Sequence, residues 1–166
     1  MKSGSNNQIK LAEPVINSQE VANLTKKILK ENFPNEGKLV RSFEKKISTL
    51  LRVKYALTST SGTTAIFLGL KALNLKPNDE VLVPNITFQA TANAVSLAGF
   101  KPVLVDVNHT NNLICLKSLK KKITNKTKVI IPVHVSGRGN NIKEICKIAK
   151  KNKMDVVWDS AGAFFT

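Results

Sequence analysis

The stretch "EVLVPNITFQATANAVSLAGFKPVLVDV", residues 80–107, has the pattern of a strand, a helix and a second strand. Its outer runs, "EVLVPN" and "KPVLVDV", are apolar at nearly every position, which is typical of strands that are covered on both faces. The segment between them, 87–98, is predicted to be a helix in which Thr87 caps the first turn and Phe88 lies within it. This order predicts two parallel strands joined by a right-handed crossover.

The same alternation continues on both sides of this stretch. Three more apolar runs are predicted as strands: "YALTST" (55–60), "KVIIPVHV" (128–135) and "DVVWDS" (155–160). Helices are predicted between the runs, over 63–73, 116–123 and 141–151. We therefore predict an α/β fold, with a mostly parallel sheet sandwiched between helices. Ligands of such sheets bind beyond the carboxyl ends of the strands, so the residues after each run are the candidates.

The part of the chain before residue 55 has a different character. Residues 1–17 are predicted to be an N-terminal arm, and the domain is predicted to occupy 18–166. Asn17, with Glu20 three positions later, resembles a capping box and predicts the start of a first helix. A second amphipathic helix is predicted over 39–51, with apolar residues at helical spacing.

Composition excludes several functional classes. With 166 residues and 42% hydrophobic content, the chain is long enough for one globular domain. The net charge of +15 comes mostly from lysines that are not interleaved with aromatic residues, so no specific nucleic-acid binding is predicted. Cys115 and Cys146 match no metal spacing, and Cys146 falls on the apolar side of a helical pattern. Without an apolar membrane span or signal peptide, we expect a cytoplasmic protein with no membrane partner.

A candidate anion site follows the first apolar run. Gly62 and Thr63 open a predicted helix, where unpaired N–H groups and the positive end of the helix dipole attract a phosphate. Taken alone, this stretch favours an ordinary Ser/Thr helix cap over a phosphate site. No phosphate-binding P-loop pattern is present.

Two more candidates follow other runs. Phe88 has the position to stack on a flat ligand, or to cover the core. Asp159 follows a buried run, where a carboxylate needs a donor or cation, although it could also cap the next helix. Asp106 has a similar position, and His134 is interpreted as a structural histidine. A phosphate site, a flat aromatic residue and a carboxylate for a ring nitrogen are together what a pyridoxal phosphate site needs.

Residues 61–107, "SGTTAIFLGLKALNLKPNDEVLVPNITFQATANAVSLAGFKPVLVDV", closely resemble the DegT/DnrJ/EryC1/StrS aminotransferases. The resemblance begins near Leu11, includes "GKLVRSFEKKISTLLRVKYAL" and "KTKVIIPVHVSG", and continues into "AKKNKMDVVWDSAGA". It implies the large domain of fold type I pyridoxal phosphate-dependent transferases, and a homodimer. It also implies transfer of an amino group from glutamate to a nucleotide-linked keto sugar, in amino-sugar and cell-surface polysaccharide biosynthesis.

The resemblance assigns roles to individual residues. Gly62 and Thr63 match the phosphate-binding turn, Phe88 matches the aromatic residue on the cofactor ring, and Asp159 matches the carboxylate on the pyridine nitrogen. The family usually has glutamine three residues after this aspartate, where this chain has Gly162.

The resemblance also places a Schiff-base lysine downstream of the aspartate, in a segment that these 166 residues do not include. The large domain is therefore expected to be incomplete and the small domain absent, and the chain is expected to be inactive alone. Two alternatives stay open: a non-catalytic remnant that binds the cofactor or a partner, and a family dehydratase with histidine in place of the lysine.

One consequence concerns "YALTST". The resemblance places this strand at an edge of the sheet, beside strands from sequence that is not included here. We therefore expect it to be detached from the main sheet, or held only by the packing of the helix over 63–73, which leaves its backbone groups unpaired.

Overall fold

The computed structural model of the protein describes residues 15–30 and 37–164. They divide into two compact units, one ending at Thr58 and the other beginning at Ser59. The predicted N-terminal arm, 1–17, lies outside the described residues except for 15–17. No helix in the described ranges is long and apolar enough to cross a membrane.

The first unit contains α1 (Ser18–Leu29) and α2 (Lys38–Leu51), which confirms both predicted helices. The side chain of Asn17 accepts a hydrogen bond from the Glu20 N–H at 3.2 Å, so the predicted cap is confirmed. Thr58 donates its backbone N–H and its hydroxyl to Oε1 of Glu44, at 2.8 and 2.9 Å. These two bonds hold the pKa of Glu44 below its ordinary value.

The second unit is built on a parallel sheet. Among the described residues its strands are β1 (Glu80–Pro84), β2 (Lys101–Val105), β3 (Thr127–Ile130) and β4 (Asp155–Val156). Their order is β2-β1-β3-β4, and all neighbouring strands are parallel. The predicted α/β fold is therefore confirmed: β1, β2 and β4 fall within their predicted runs, and β3 begins one residue before the run 128–135.

Helices cover both faces of this sheet. They are α3 (Gly62–Lys71), α4 (Ala90–Leu97), α5 (Leu116–Lys122) and α6 (Ile142–Lys151). Successive side chains of a strand point to opposite faces of the sheet. Every residue of β1 is buried, so both faces are covered at this strand. Val81 and Val83 belong to the core cluster with residues of α3 and α4, whereas Leu82 belongs to the cluster with residues of α5 and α6.

The fifth predicted strand is not formed. Residues 55–60 contain no strand and take no part in the sheet, so the assignment of "YALTST" as a strand is wrong. The expectation that it is detached from the main sheet is confirmed. An extended segment becomes a stable strand only when a neighbouring strand accepts and donates its backbone hydrogen bonds, and none does so here.

Helix α4 begins three residues later than predicted. Thr87 does not cap it, because the Thr87 hydroxyl lies 2.9 Å from the Thr91 hydroxyl instead of a backbone amide. The Phe88 carbonyl accepts a hydrogen bond from the Thr91 N–H at 3.1 Å, which closes a turn just before the helix. Phe88 therefore lies in this turn and not in the first turn of α4.

The predicted burial of Cys146 is also wrong. The residues of α6 that face the core are Ile145, Ile148 and Ala149, and Cys146 is exposed. Adjacent helical positions are rotated by about 100° from each other, so a residue next to a buried position is readily turned towards solvent.

A buried carboxylate lies at the amino ends of the strands. Glu80, the first residue of β1, is 7% exposed. It accepts hydrogen bonds from the Thr124 hydroxyl at 2.5 Å and from Lys101 Nζ at 3.1 Å. The Thr124 hydroxyl and then Lys101 lower the pKa of Glu80 below its ordinary value, against the opposing effect of burial.

Candidate active site at the carboxyl ends of the strands

The topology brings three predicted site segments to one edge of the sheet. Because the strands are parallel, the turn after β1 and the residues after β4 lie at the same edge, opposite Glu80. Residues 72–79 lead from α3 into the amino end of β1, so α3 begins near the other, carboxyl edge. Gly62, Phe88 and Asp159 therefore lie towards the same end of the second unit.

The start of α3 has the features of an anion site. Ser61 caps the helix, because its Oγ accepts from the Thr64 N–H at 3.1 Å, and the Ser61 carbonyl accepts from the Ala65 N–H at 2.9 Å. The N–H groups of Gly62 and Thr63 donate to no acceptor among the described residues. A Cβ at Gly62 would meet no atom within 4 Å, so space exists next to these N–H groups. The serine cap and a phosphate site are thus compatible.

Phe88 is presented to solvent by the turn between β1 and α4. Its side chain is 76% exposed, so it does not cover the core. A large aromatic side chain that is held on a short turn and exposed is available for stacking on a flat ring. Of the two sequence interpretations, covering the core does not fit this exposure.

Asp159 is held at the carboxyl edge by both its backbone and its side chain. Its backbone pairs with the segment after β3: the Asp159 N–H donates to the Pro132 carbonyl, and its carbonyl accepts from the His134 N–H. Oδ2 accepts from the Thr91 hydroxyl at 2.8 Å, and Oδ1 accepts from the Ala161 N–H at 3.2 Å. The two oxygens of a carboxylate accept about four hydrogen bonds, so capacity for a further donor remains.

Sequence reasoning missed Thr91. This residue of α4 is fully buried, and its hydroxyl joins Asp159 to Thr87. The spacing of Thr87 and Thr91, four positions apart in a region of helical pattern, was a usable signal, because it predicts two hydroxyls on one face. Their link to Asp159 has no signal in the sequence.

The structure separates Asp159 from the other candidates. Asp106 has its Oδ2 bonded to the Ser118 hydroxyl at 2.9 Å, and the same hydroxyl accepts from the Asp106 N–H, which ties it to α5. His134 is buried, its Nδ1 accepts from the Asn140 N–H, and its ring lies 5.4 Å from the ring of Trp158. These contacts support a structural role for both.

Gly162 is not required by steric constraints. A Cβ at this position would lie 3.9 Å from the His134 carbonyl oxygen and 4.0 Å from the Ser136 nitrogen, which are ordinary van der Waals distances. The structure therefore gives no backbone reason for glycine where the family usually has glutamine.

The lysines of α6 lie at the other edge of the sheet. This helix ends at Lys151, and the chain turns directly into the amino end of β4 at Asp155. Three exposed lysines, Lys150, Lys151 and Lys153, precede the amino end of β4, whereas Asp159 follows its carboxyl end. Their position does not fit a covalent bond to a ligand held by Asp159.

The described residues form an open surface. One groove of the second unit, of about 680 Å³, is lined by residues 85, 86, 106–112 and 115. Another, of about 440 Å³, lies near the amino ends and is lined by residues 72–76, 79, 128, 153 and 155. Neither includes Gly62, Phe88 or Asp159.

Comparison with known proteins matches this architecture to one family. The model of the DegT/DnrJ/EryC1/StrS aminotransferase family matches residues 15–166. A 3-oxo-glucose-6-phosphate:glutamate aminotransferase of Bacillus subtilis is 37% identical over 142 residues, which are 86% of this chain and 32% of that protein. The chain thus spans about a third of the length of this curated relative.

Solved structures give the same result. A crystal structure of NtdA from Bacillus subtilis with bound cofactor PMP has a TM-score of 0.82 and 34% identity, over 96% of this chain and 39% of that one. The Escherichia coli GDP-4-keto-6-deoxy-D-mannose-3-dehydratase with bound hydrated PLP has a TM-score of 0.81 and 28% identity, over 90% of this chain and 40% of that one.

Proposed function

Because the chain belongs to the DegT/DnrJ/EryC1/StrS aminotransferase family, we propose that it carries the cofactor-binding part of a pyridoxal phosphate-dependent sugar aminotransferase. The proposed substrates are a nucleotide-linked keto sugar and glutamate as the amino donor, in amino-sugar and polysaccharide biosynthesis. The glutamate donor has support from the name of the Bacillus subtilis relative. A GDP-perosamine synthase of Escherichia coli, 36% identical over 130 residues, supports the nucleotide sugar.

The described residues fit pyridoxal phosphate. The N–H groups of Gly62 and Thr63 would hold its phosphate, and Phe88 would stack on its ring. Asp159 would accept a hydrogen bond from its protonated pyridine nitrogen. When bound, the cofactor supplies an electron sink for the carbon at which the amino group is exchanged.

The observation that carries this proposal is the state of the Asp159 carboxylate. It is positioned by a donor on each oxygen, lies at the ligand-binding edge of a parallel sheet, and keeps acceptor capacity. A carboxylate held in this way keeps a ring nitrogen protonated by a charge-assisted hydrogen bond. The Asp106 carboxylate, which is bonded to Ser118 of α5, has a donor on one oxygen among the described residues and is therefore less firmly positioned.

The remaining parts of the proposal follow from the family. A homodimer in the cytoplasm is proposed for the full enzyme. The domain is proposed to comprise residues 18–166 together with sequence that completes the fold, preceded by an arm over 1–17. The residues of this chain alone are proposed to bind the cofactor weakly and to be inactive, since the lysine of the family matches none of them.

The test is an activity assay of the complete open reading frame that encodes these residues. We expect purified protein with pyridoxal phosphate and glutamate to convert a nucleotide-linked keto hexose into an amino sugar and 2-oxoglutarate. The 166-residue chain is the matched control and should give no product. A deoxy sugar in place of an amino sugar would favour the dehydratase, and no turnover of a panel of nucleotide-linked keto sugars would contradict both enzymes.

A further inference from the structure

A chain of two hydroxyl groups leads to the Asp159 carboxylate. Thr87 Oγ1 lies 2.9 Å from Thr91 Oγ1, and Thr91 Oγ1 lies 2.8 Å from Asp159 Oδ2. Thr91 is fully buried, so its hydroxyl has to find its partners within the protein. One of its two side-chain partners, Asp159, is proposed to contact the cofactor, and the other, Thr87, precedes Phe88 in the chain.

The direction of these bonds follows from proton counting. An ionised carboxylate only accepts hydrogen bonds, and a threonine hydroxyl has one proton. The Thr91 proton is therefore directed at Asp159, and Thr87 has to donate to Thr91. Hydrogen bonds in such a row polarise one another, so the Thr87 hydroxyl strengthens the bond that Thr91 makes to the carboxylate.

Thr91 differs from Thr25 and Thr49, the threonines of α1 and α2 whose hydroxyls bond within their own helix. In α1 and α2, the hydroxyls of Thr25 and Thr49 donate to the carbonyl four residues earlier, which is the usual local bond of a threonine in a helix. Thr91 instead donates to a side chain 68 residues away. Its hydroxyl is thus used for a tertiary contact and not for the helix.

The backbone of Thr91 contacts the second proposed cofactor residue. Its N–H donates to the Phe88 carbonyl at 3.1 Å, while its hydroxyl donates to Asp159. Thr91 therefore connects two parts of the proposed site: the turn that carries Phe88 and the carboxylate of Asp159. The other carboxylate oxygen is bonded to the Ala161 N–H, so removal of the Thr91 hydroxyl leaves one oxygen without its protein donor.

We propose that Thr91 is a positioning residue: through its hydroxyl it fixes the orientation of the Asp159 carboxylate, with Thr87 as its support, and through its backbone it aligns Phe88. The expected effect on cofactor affinity rests on the proposed function, in which Asp159 contacts the cofactor. The orientation of the carboxylate is a property of the chain itself.

The test compares three variants of the 166-residue chain. Thr91→Val removes the hydroxyl at nearly constant volume, Thr91→Ser keeps it, and Thr87→Val removes only the supporting hydroxyl. Two quantities are measured: the rotamer populations of Asp159 by NMR without ligand, and the affinity for pyridoxamine 5′-phosphate, which forms no covalent bond to lysine.

We expect one Asp159 rotamer in the wild type and in Thr91→Ser, and several in Thr91→Val. The affinity should fall about tenfold in Thr91→Val, be retained in Thr91→Ser, and fall by a smaller factor in Thr87→Val. A single, unchanged Asp159 rotamer in folded Thr91→Val would overturn the inference. So would a Thr91→Ser variant that behaves like Thr91→Val.

Asp159→Asn separates this inference from the proposed function. If Thr91→Val releases the Asp159 rotamer but Asp159→Asn binds pyridoxamine 5′-phosphate as the wild type does, the positioning role stands and the cofactor contact is wrong. If Thr91→Val does not fold, the wild type decides: its Thr91 hydroxyl proton should exchange slowly enough to be seen by NMR. A rapidly exchanging hydroxyl would contradict the hydrogen bond.

Discussion

The hydroxyl of Thr91 donates to Oδ2 of Asp159 at 2.8 Å, across 68 positions of sequence. This bond connects the first turn of α4 with the segment that follows β4. Since Thr91 is fully buried, the contact is shielded from competing water. The candidate site is therefore fixed by tertiary contacts at the residue that the family resemblance assigns to the ring nitrogen.

Asp159→Asn should weaken the binding of pyridoxal phosphate by the 166-residue chain about tenfold or more. An amide does not provide the charge that keeps the ring nitrogen protonated, and hydrogen bonds to charged groups contribute about 1.5–3 kcal/mol. Equilibrium titration followed by absorbance measures the affinity. Asp106→Asn is the matched control, because it removes a carboxylate at the end of β2 that is tied to Ser118. Equal losses in both variants would contradict the role of Asp159.

Phe88→Ala should reduce the same affinity and leave the stability nearly unchanged. The side chain is 76% exposed, so its removal creates no cavity, whereas a stacked ring would lose its contact. Leu97→Ala is the control, since Leu97 is 70% exposed at the end of α4, the helix that follows Phe88. Thermal unfolding together with cofactor titration distinguishes the two effects. An unchanged affinity in Phe88→Ala would remove Phe88 from the site.

Stability should fall in acid through Glu80. Its folded pKa is lowered, chiefly by the Thr124 hydroxyl and then by Lys101. As the pH falls below about 4.3, the ordinary glutamate pKa, Glu80 becomes protonated in the unfolded chain but stays ionised in the folded chain. The stabilising contribution is present above that pH and is lost as the pH falls through the folded pKa.

The free energy of unfolding is measured for the wild type and for Glu80→Gln at a series of pH values from about 3 to about 7. The difference between the two proteins should shrink below about pH 4.3. Glu144→Gln, in the first turn of α6, controls for general effects of charge. A difference that is constant over this range would refute the assignment.

Leu82→Ala should destabilise the chain by about 2–5 kcal/mol, because it leaves a cavity in the core. Leu82 is fully buried in β1, between α5 and α6 on one face of the sheet. Leu104→Ala makes the same chemical change on β2, where the side chain is 54% exposed, and should cost less than about 1 kcal/mol. Urea unfolding measures both, and similar losses would show that the sheet is not packed as described.

Backbone amides should exchange their hydrogens faster in residues 55–60 than in β3. Ala56, Leu57 and Thr60 should exchange fast, because 55–60 holds no strand, and Val129 and Ile130 should exchange slowly in β3. Thr58 should be slower than its neighbours, since its N–H donates to Glu44, and Glu44→Ala should remove that difference. Equal protection across 55–60 and β3 would show that "YALTST" is paired.

The sequence predicted elements better than their ends. Continuous apolar runs indicated β1 to β4, and the cap by Asn17 was predictable because it uses only local bonds. The start of α4 was wrong by three residues because the Thr87 hydroxyl bonds to Thr91 and not to an amide. The burial of Cys146 was wrong because one position along a helix turns a side chain by about 100°.

The sequence by itself determined the parallel α/β fold, its family and the residue types of the candidate site, since hydrophobic pattern and strand-end position are local properties. Only the tertiary structure decided that the Asp159 carboxylate has a donor on each oxygen, whereas among the described residues Asp106 has a donor on one oxygen, and that Thr91 is one of the two donors to Asp159. The structure also decided that residues 55–60 form no strand of the sheet, although their apolar pattern fits one. The reason is physical: a hydrogen bond between distant residues, or the lack of a strand neighbour, depends on which segments meet in space and has no signature in the adjacent sequence.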